Sequence, residues 1–438
     1  MKSVSILIII LLCLGFEAKS QNSNLNLEEA ITVGLKNNFA IQISSNDTKI
    51  ATNNNSLGNA GFLPVIGVTG GIKENIASNN TKDMKDVTTI NNNQRTGTTN
   101  LGATLDWTLF NGFAMFIKRE RLSSVQTLQE TALRATVENT VSEIITSYFA
   151  VVQLKNSLQV LQNAIDFSNS RYELTRKKLQ IGTASELAFL KSSTDLNADS
   201  AAFLRQKVSY TNAKSKLNTL LVLDPEKDFD VSTPIQFDKL LDYSSLKEGL
   251  PSINSQISMA KQSEDISLLD YRLTNAPKYP QIGFFTDYNW SKNNYNFGTS
   301  SSVQANGPVV GLSFSMPVFD GFNKKRITEN ARITTETLKL DYQLVLKNVQ
   351  ASLWQVYNEY KNNLNLVKLE SANLEVARHT AKISFERFRV GEMSDYELRQ
   401  IQLSELEAEN SLIVAQFQAK KSETELLRLS GKLVHENR

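Results

Sequence analysis

The sequence predicts a membrane α+β protein in which paired strands lead into long helical hairpins, with the whole plan written twice. Three observations lead there: a secretory leader, a repeat at one fixed offset, and a hydrophobic period that changes from 2 to 3.5 within each half. The offset is 209 residues: "LFNGF" ends at Phe113 and "VFDGF" at Phe322. Gly182 and Gly391, Tyr148 and Tyr357, Ser185 and Ser394, and Leu217 and Leu426 keep the same interval. Shared punctuation at one spacing, without a gap, reads as an internal duplication.

The leader is "MKSVSILIIILLCLGFEAKSQ". Lys2 precedes an apolar run, and Ala18 and Ser20 fit cleavage before Gln21. Residues 1–20 therefore read as a signal peptide, too short and wrongly flanked for a spanning helix. Cys13, the only cysteine, lies inside that run, and Leu12 stands where a lipoprotein signal has a small residue. The mature chain then gains no disulfide and offers no thiol nucleophile or thiolate ligand. A net charge of +2 gives no broad electrostatic case for nucleic acid.

Between Phe113 and Leu223 the only glycine or proline is Gly182, and between Phe322 and Ser430 the only one is Gly391. Runs rich in Leu, Ala, Glu, Lys and Gln without breakers read as helix. The outgoing arm carries a seam at Leu154, Leu158, Leu161, Ile165, Ser168, Tyr172, Thr175 and Leu179. The return arm repeats the rhythm at Leu187, Leu190, Thr194, Asn197, Ala201, Leu204 and Val208. A 3.5-residue period predicts helices packed side by side along these seams. Each outgoing arm would be roughly 100 Å long at the α-helical rise. The two glycines accept the positive φ that ends a helix, so they mark the tips of two antiparallel hairpins.

Before each hairpin the period is 2. Leu101, Ala103, Leu105, Trp107 and Leu109 alternate with polar or small residues, as do Val310, Leu312, Phe314, Met316 and Val318. Earlier strands carry Ile66, Val68 and Ile72, and Ile282, Phe284, Tyr288 and Trp290, on one face. Polar loops are expected from Lys73 to Thr96, with seven asparagines or glutamines, and from Ser291 to Asn306. Such strands match a transmembrane β-barrel, and a soluble two-sheet core under a helical stalk is the competing arrangement. A sheet of four strands has two open edges. About ten unpaired backbone groups in hydrocarbon would cost tens of kcal/mol, so several chains must share one barrel.

The resulting organisation is a signal peptide over 1–20, a first repeat over 21–223, a linker over 224–250 and a second repeat over 251–438. The first repeat holds a helix, a β-hairpin at about 62–110 and a helical hairpin over 112–223. The second holds a helix, a β-hairpin at about 280–319 and a helical hairpin over 321–430. The linker, with Pro225 and Pro234, has no partner in the other half.

Strand pairs ending in "LFNGF" and "VFDGF", with hairpins turning at "LQIGTAS" and "FRVGEMS", resemble the TolC-like outer-membrane efflux proteins. The resemblance covers nearly the whole mature chain. It implies a homotrimer in outer-membrane lipid, with four strands per chain closing a twelve-stranded barrel continued by a long periplasmic helical barrel. It also implies a periplasmic adaptor (membrane fusion) protein and an inner-membrane transporter as partners, with no cofactor. The function implied is the exit duct of a tripartite efflux system. Alternatives are the duct of a type I protein secretion system and a secreted coiled-coil scaffold with no pore.

The same resemblance places the adaptor contact at the turns, here Ile181, Gly182, Thr183 and Ser185, with Val390, Gly391, Met393 and Ser394. It places acidic residues of the periplasmic aperture just beyond the second glycine, where this chain has Asp395, Glu397 and Gln400. Because Gln400 is not acidic, a double acidic ring is not expected. The blander readings are helix-ending glycines and a solvated helix face. Enzymatic readings find little: His379 and His435 are the only histidines and form no metal-ligand spacing. Ser430-Gly431-Lys432 lacks the earlier glycine of a phosphate loop.

Overall fold

The strand-to-helix junctions explain why "LFNGF" and "VFDGF" look alike. Gly112 and Phe113 both take the left-handed region, at φ 66° each, and Gly321 and Phe322 follow at 69° and 64°. The residue before each glycine caps the helix that follows. Asn111 Oδ1 accepts from the Met115 amide at 3.1 Å, and Asp320 Oδ2 from the Lys324 amide at 2.8 Å. The motif's aromatics meet edge to face, Phe110 with Phe113 at 5.2 Å and Phe319 with Phe322 at 5.4 Å.

The computed structural model describes residues 24–232, 234–237 and 241–434. The signal peptide, Cys13, Gln21 and His435 lie outside the described residues. In order come β1 (Asn24–Leu25), α1 (Leu27–Asn37), α2 (Phe39–Asn54), α3 (Leu57–Ala60), β2 (Val65–Lys82), β3 (Thr88–Asn111), α4 (Ala114–Gln180) and α5 (Glu186–Leu220). There follow β4 (Asp230–Val231), α6 (Tyr243–Lys247), α7 (Leu250–Ile253), α8 (Ser255–Leu273), β5 (Gln281–Tyr295), β6 (Ser302–Ser315), α9 (Asn323–Val390) and α10 (Asp395–Leu429). The hairpin arms have 67 and 35 residues in the first half and 68 and 35 in the second. No helix of the described residues is long and apolar enough to cross a membrane.

The chain forms two compact units. One contains residues 45–132 and 257–345 and holds a four-stranded antiparallel sheet in the order β2-β3-β5-β6. Its register brings the sequence's alternating faces onto one side. Ile66 lies opposite Leu105, Leu101 opposite Trp290, Trp107 opposite Phe284, and Phe284 opposite Leu312. A bulge between Thr108 and Phe110 breaks the alternation, so Phe110 pairs with Ile282 and Leu109 leaves the expected run. β6 stops at Ser315, ahead of Met316 and Val318, because Pro317 has no amide to donate.

The expected loop from Lys73 to Thr96 is mostly strand. β2 and β3 stay paired out to Lys82 and Thr88, with a turn closed by Asp83 between them. Glu74 to Arg95 contains no glycine or proline, and threonines and isoleucines among its amides keep the extended backbone favourable. In the same unit, helices pack through Arg121–Asp270 and Arg272–Glu120 ion pairs.

The other unit contains residues 1–44, 133–256 and 346–438. Its core joins Val141, Ile144, Tyr148, Val152, Leu217, Leu221, Phe229 and Val231. The linker, for which the sequence offered no partner, pairs with the start of the chain. β1 and β4 run parallel, Asn24 opposite Asp230 and Leu25 opposite Val231. Buried Tyr148 joins both strands, its hydroxyl donating to Leu25 O at 3.1 Å and accepting from the Ser232 amide at 3.3 Å. Trp354 is exposed and stacks on Tyr357 beside Tyr243.

The two junction glycines are not equivalent. A Cβ on Gly112 would stand 2.2 Å from Ala276 O, whereas one on Gly321 would meet nothing closer than the Asn323 side chain at 3.9 Å. Gly321→Ala should cost about 1–2 kcal/mol, for the left-handed backbone alone. Gly112→Ala should cost clearly more, because backbone must also move. Thermal unfolding of the two variants, followed by circular dichroism, checks the order.

Candidate functional site

Each hairpin tip is built by the same local rule. Gly182 and Gly391 take φ of 75° and 90°, with nothing near where a Cβ would project. The Thr183 amide donates to Lys178 O at 2.8 Å and the Glu392 amide to Arg387 O at 2.9 Å, satisfying last-turn carbonyls of α4 and α9. Three residues after each glycine a serine starts the next helix. Ser185 accepts from the Ala188 amide and Ser394 from the Glu397 amide, both at 3.2 Å. The spacing Gly-x-x-Ser thus stops one helix and starts another.

The residues expected at the adaptor contact sit together on these turns. Ile181, Gly182, Thr183, Ser185, Val390, Gly391 and Ser394 are exposed, and Met393 is half-buried. The expected aperture residues separate. Glu397 and Gln400 are exposed, but Asp395 is turned inward. Glu397 also closes the capping box, its carboxylate accepting from the Ser394 amide at 3.0 Å and hydroxyl at 2.8 Å. Those bonds hold its carboxyl below the usual range. A depressed carboxyl contributes above its unfolded pKa and loses that contribution as pH falls through the folded one, so Glu397 is anionic at neutral pH.

Behind the tips lies a buried polar cluster that sequence reasoning missed. Arg171 of α4 is fully buried and pairs with Asp195 of α5. Arg399 of α10 grips Asp199 of α5 with two bonds, at 2.8 and 2.9 Å. The Ser168 hydroxyl donates to the same carboxylate at 2.5 Å and accepts from Gln402 at 2.8 Å, and Gln402 also donates to Ala164 O at 3.2 Å. Lys178 of α4 donates to Phe388 O at 2.5 Å, and Phe167 meets Phe385 of α9 at 5.2 Å. The two hairpins are therefore joined mainly by charge and hydrogen bonds just inside their tips.

Asp395 is the loosely held member. Its Oδ1 lies 3.5 Å from Arg171 Nε, beyond a good hydrogen bond, and finds no hydrogen-bond partner. Burial pushes its carboxyl up, with the Arg171 charge opposing. The two observations agree, since Arg171 is already engaged by Asp195. A signal for the cluster existed in the repeat: at an offset of 209, Arg171, Asp195 and Asp199 correspond to Thr380, Ser404 and Ala408, and Arg399 to Leu190. The charges of the cluster thus break the repeat, and both halves contribute to it. No group of His, Cys, Asp or Glu among the described residues could hold a metal ion.

The cluster gives a prediction with a sign. Asp199→Asn removes the carboxylate that Arg399 grips, leaving it Gln402 at 3.0 Å and Asp195 at 3.8 Å, and should destabilise by about 3 kcal/mol. Asp395→Asn fixes the neutral form that burial favours and should cost no more than about 1 kcal/mol, its helix N-terminal charge being the main loss. A raised carboxyl pKa means stability falls as pH rises from the ordinary aspartate range to the raised value. Melting curves across that range should show the slope in the natural chain and less of it in Asp395→Asn.

Against this geometry, comparison with known proteins is consistent throughout. The model of the outer membrane efflux protein family matches residues 31–221 and 252–432. The chain is 23% identical over 251 residues to the outer membrane protein TolC of Vibrio cholerae, covering 53% of this chain and 52% of that one. It thus spans about half the length of that curated relative. The fold matches the CmeC outer membrane channel of Campylobacter jejuni with a TM-score of 0.79 at 13% identity, over 93% of this chain and 86% of that one. It matches the outer membrane protein VceC of Vibrio cholerae with a TM-score of 0.75 at 15% identity, over 92% and 96%. Family and fold are those of channels rather than enzymes. The chain belongs to the outer membrane efflux protein family and is a protein of the bacterial outer membrane, with helices extending into the periplasm.

Proposed function

We propose that the protein is a passive exit duct, assembled as a trimer, that carries small molecules out through the outer membrane for a tripartite efflux system. One observation carries the reading. The sheet has a continuous apolar face, yet β2 and β6 leave both its edges unpaired. Lipid tolerates such edges only when they are paired, so neighbouring copies supply the missing strands and a twelve-stranded barrel closes. Energy for export comes from an inner-membrane transporter, reached through a periplasmic adaptor that grips the two tips. The polar cluster holds the hairpins together at rest, and its rearrangement opens the aperture, where Glu397 faces the path and favours cations.

Conductance of the purified protein in a planar bilayer tests the duct directly. Discrete channel steps are expected from SDS-resistant, heat-modifiable oligomers. A water-soluble monomer without conductance would sink the reading. Glu397→Gln should lower cation preference in those recordings, and unchanged selectivity would remove that residue from the path. At the other end of the mechanism, Gly182→Val puts a branched side chain where φ is positive, on an otherwise open turn. Export should be lost while oligomer levels stay near normal, and unaltered export with normal adaptor crosslinking would separate the turn from the partner.

A further inference from the structure

Past its apolar band, the sheet face that carries Trp290 becomes cationic. On β5 the band runs from Ile282 to Trp290, about nine residues, which is what a tilted strand needs to cross hydrocarbon. Trp290, opposite Leu101, ends it as an interfacial aromatic. In the proposed duct α4 leaves the other end of β3 for the periplasm, so the β2–β3 turn lies on the outer side of the membrane. Steps of two residues stay on one face of a strand. Above Trp290, that face holds Lys292 opposite Thr99, then Asn294 opposite Gly97, then Arg95 opposite Ile76.

Lys292 and Arg95 are both exposed, and neither makes an ion pair among the described residues. Lys82, by contrast, is paired with Asp86 at 2.7 Å, and Lys73 stands on the opposite face. Arg95 is also fixed in place. β5 ends at Tyr295, but Asn296 extends its ladder: Oδ1 accepts from the Arg95 amide at 2.6 Å and Nδ2 donates to Asn93 O at 3.0 Å. The Asn296 amide donates to Arg95 O at 3.3 Å, and Asn93, at φ 56°, lies where β3 shifts its register with β2. Between the two cations the floor is open, since a Cβ on Gly97 would meet nothing within 4 Å. Four residues of strand, about 14 Å, separate the two levels, a gap that long cationic side chains narrow from both ends. Glu74, opposite Gly97, is the one carboxylate on this stretch of the face.

We propose that this rim binds the phosphorylated headgroup of a glycolipid in the outer leaflet, with Lys292 and Arg95 as the charges opposite its phosphate. The inference rests on the sheet lying in the membrane, as the duct requires. A lipid is the occupant because the cationic rim continues an apolar face without a break. Acyl chains lie along Tyr288, Trp290 and Leu101, and the headgroup stands one to three steps higher. Arginine offers phosphate oxygens a planar fork, and lysine a mobile point charge. Gly97 leaves room for a sugar ring between them. Glu74 repels the phosphate and confines it to the β5 side of the site.

Native mass spectrometry of the purified, delipidated protein in detergent tests the site. It is titrated with lipid A carrying its phosphates, and with the same lipid after phosphatase treatment. Each cation at a membrane surface gains roughly fivefold in affinity for an anionic lipid, so the natural chain should hold the phosphorylated form about twenty-fivefold more tightly. Arg95→Gln and Lys292→Gln should each lose about fivefold, and the double variant should no longer tell the two lipids apart. Lys73→Gln, at a similar height on the other face, should change nothing. Glu74→Gln should hold the phosphorylated lipid at least as tightly as the natural chain.

Equal affinity of the natural chain for both lipids would overturn the proposal, without any variant having to fold. So would a loss from Lys73→Gln as large as that from Arg95→Gln, or weaker binding by Glu74→Gln, which would point to a bound cation. Displacement of lipid A by millimolar inorganic phosphate would assign the rim to a free anion and overturn it too. Conductance that persists alongside any of these results leaves the duct standing, whereas protein that enters no bilayer ends both.

Discussion

In hydrocarbon, a peptide group without a partner has no water to fall back on. That constraint decides more about this chain than any single side chain does. A sheet of four strands can satisfy its inner ladders, but β2 and β6 each present a row of donors and acceptors to whatever lies beside them. Both prolines of the β6 region, Pro308 and Pro317, fall in or after an edge strand, where a missing amide disturbs least. The apolar face of the sheet favours lipid and the edges forbid it in isolation. In the proposed duct, association reconciles the two, which would make the quaternary structure a condition of the fold rather than an addition to it.

The hairpin ends solve the opposite problem. Their inner seam is poor in large apolar residues: Ser157, Ala164, Ser168, Thr175 and Ser192 are among the buried positions. Such a seam lets helices approach closely but supplies little hydrophobic drive. Arg171, Asp195, Asp199, Arg399 and Gln402 supply the cohesion instead. Buried ion pairs add little net stability compared with apolar packing, but they penalise any arrangement that leaves one partner alone. A joint of this kind has few acceptable geometries and can pass between them. A well-filled leucine core would hold harder and move less.

Much of this was legible in the sequence because it rests on local rules. The period of 2 placed Ile66, Leu105, Trp107, Phe284 and Leu312 on one side, and the ladder put them there. Gly182 and Gly391 ended helices because few other residues take that backbone. What stayed hidden was non-local. Nothing near Asp230 announces that it will pair with Asn24, since a two-residue parallel strand has no period. Asparagine-rich composition suggested a loop over Lys73 to Thr96, although the lack of glycine and proline argued for the strands found there. The seam on α5 was legible as a repeat, but its leucines are exposed in the single chain, because periodicity shows that a face is apolar without showing which neighbour covers it.

That last point bears on how many copies a duct requires. The sheet exposes two unlike edges, β2 on one side and β6 on the other. Unlike faces close by rotation. Two copies would bring eight strands, and a barrel of about eight strands is just wide enough for its own side chains to fill. Such a pair would seal its edges and conduct nothing. Three copies bring twelve strands, which leaves an open interior without changing any contact between neighbours. In the proposed duct, a chain with four strands therefore calls for three copies as the smallest ring that both satisfies the backbone and leaves a passage.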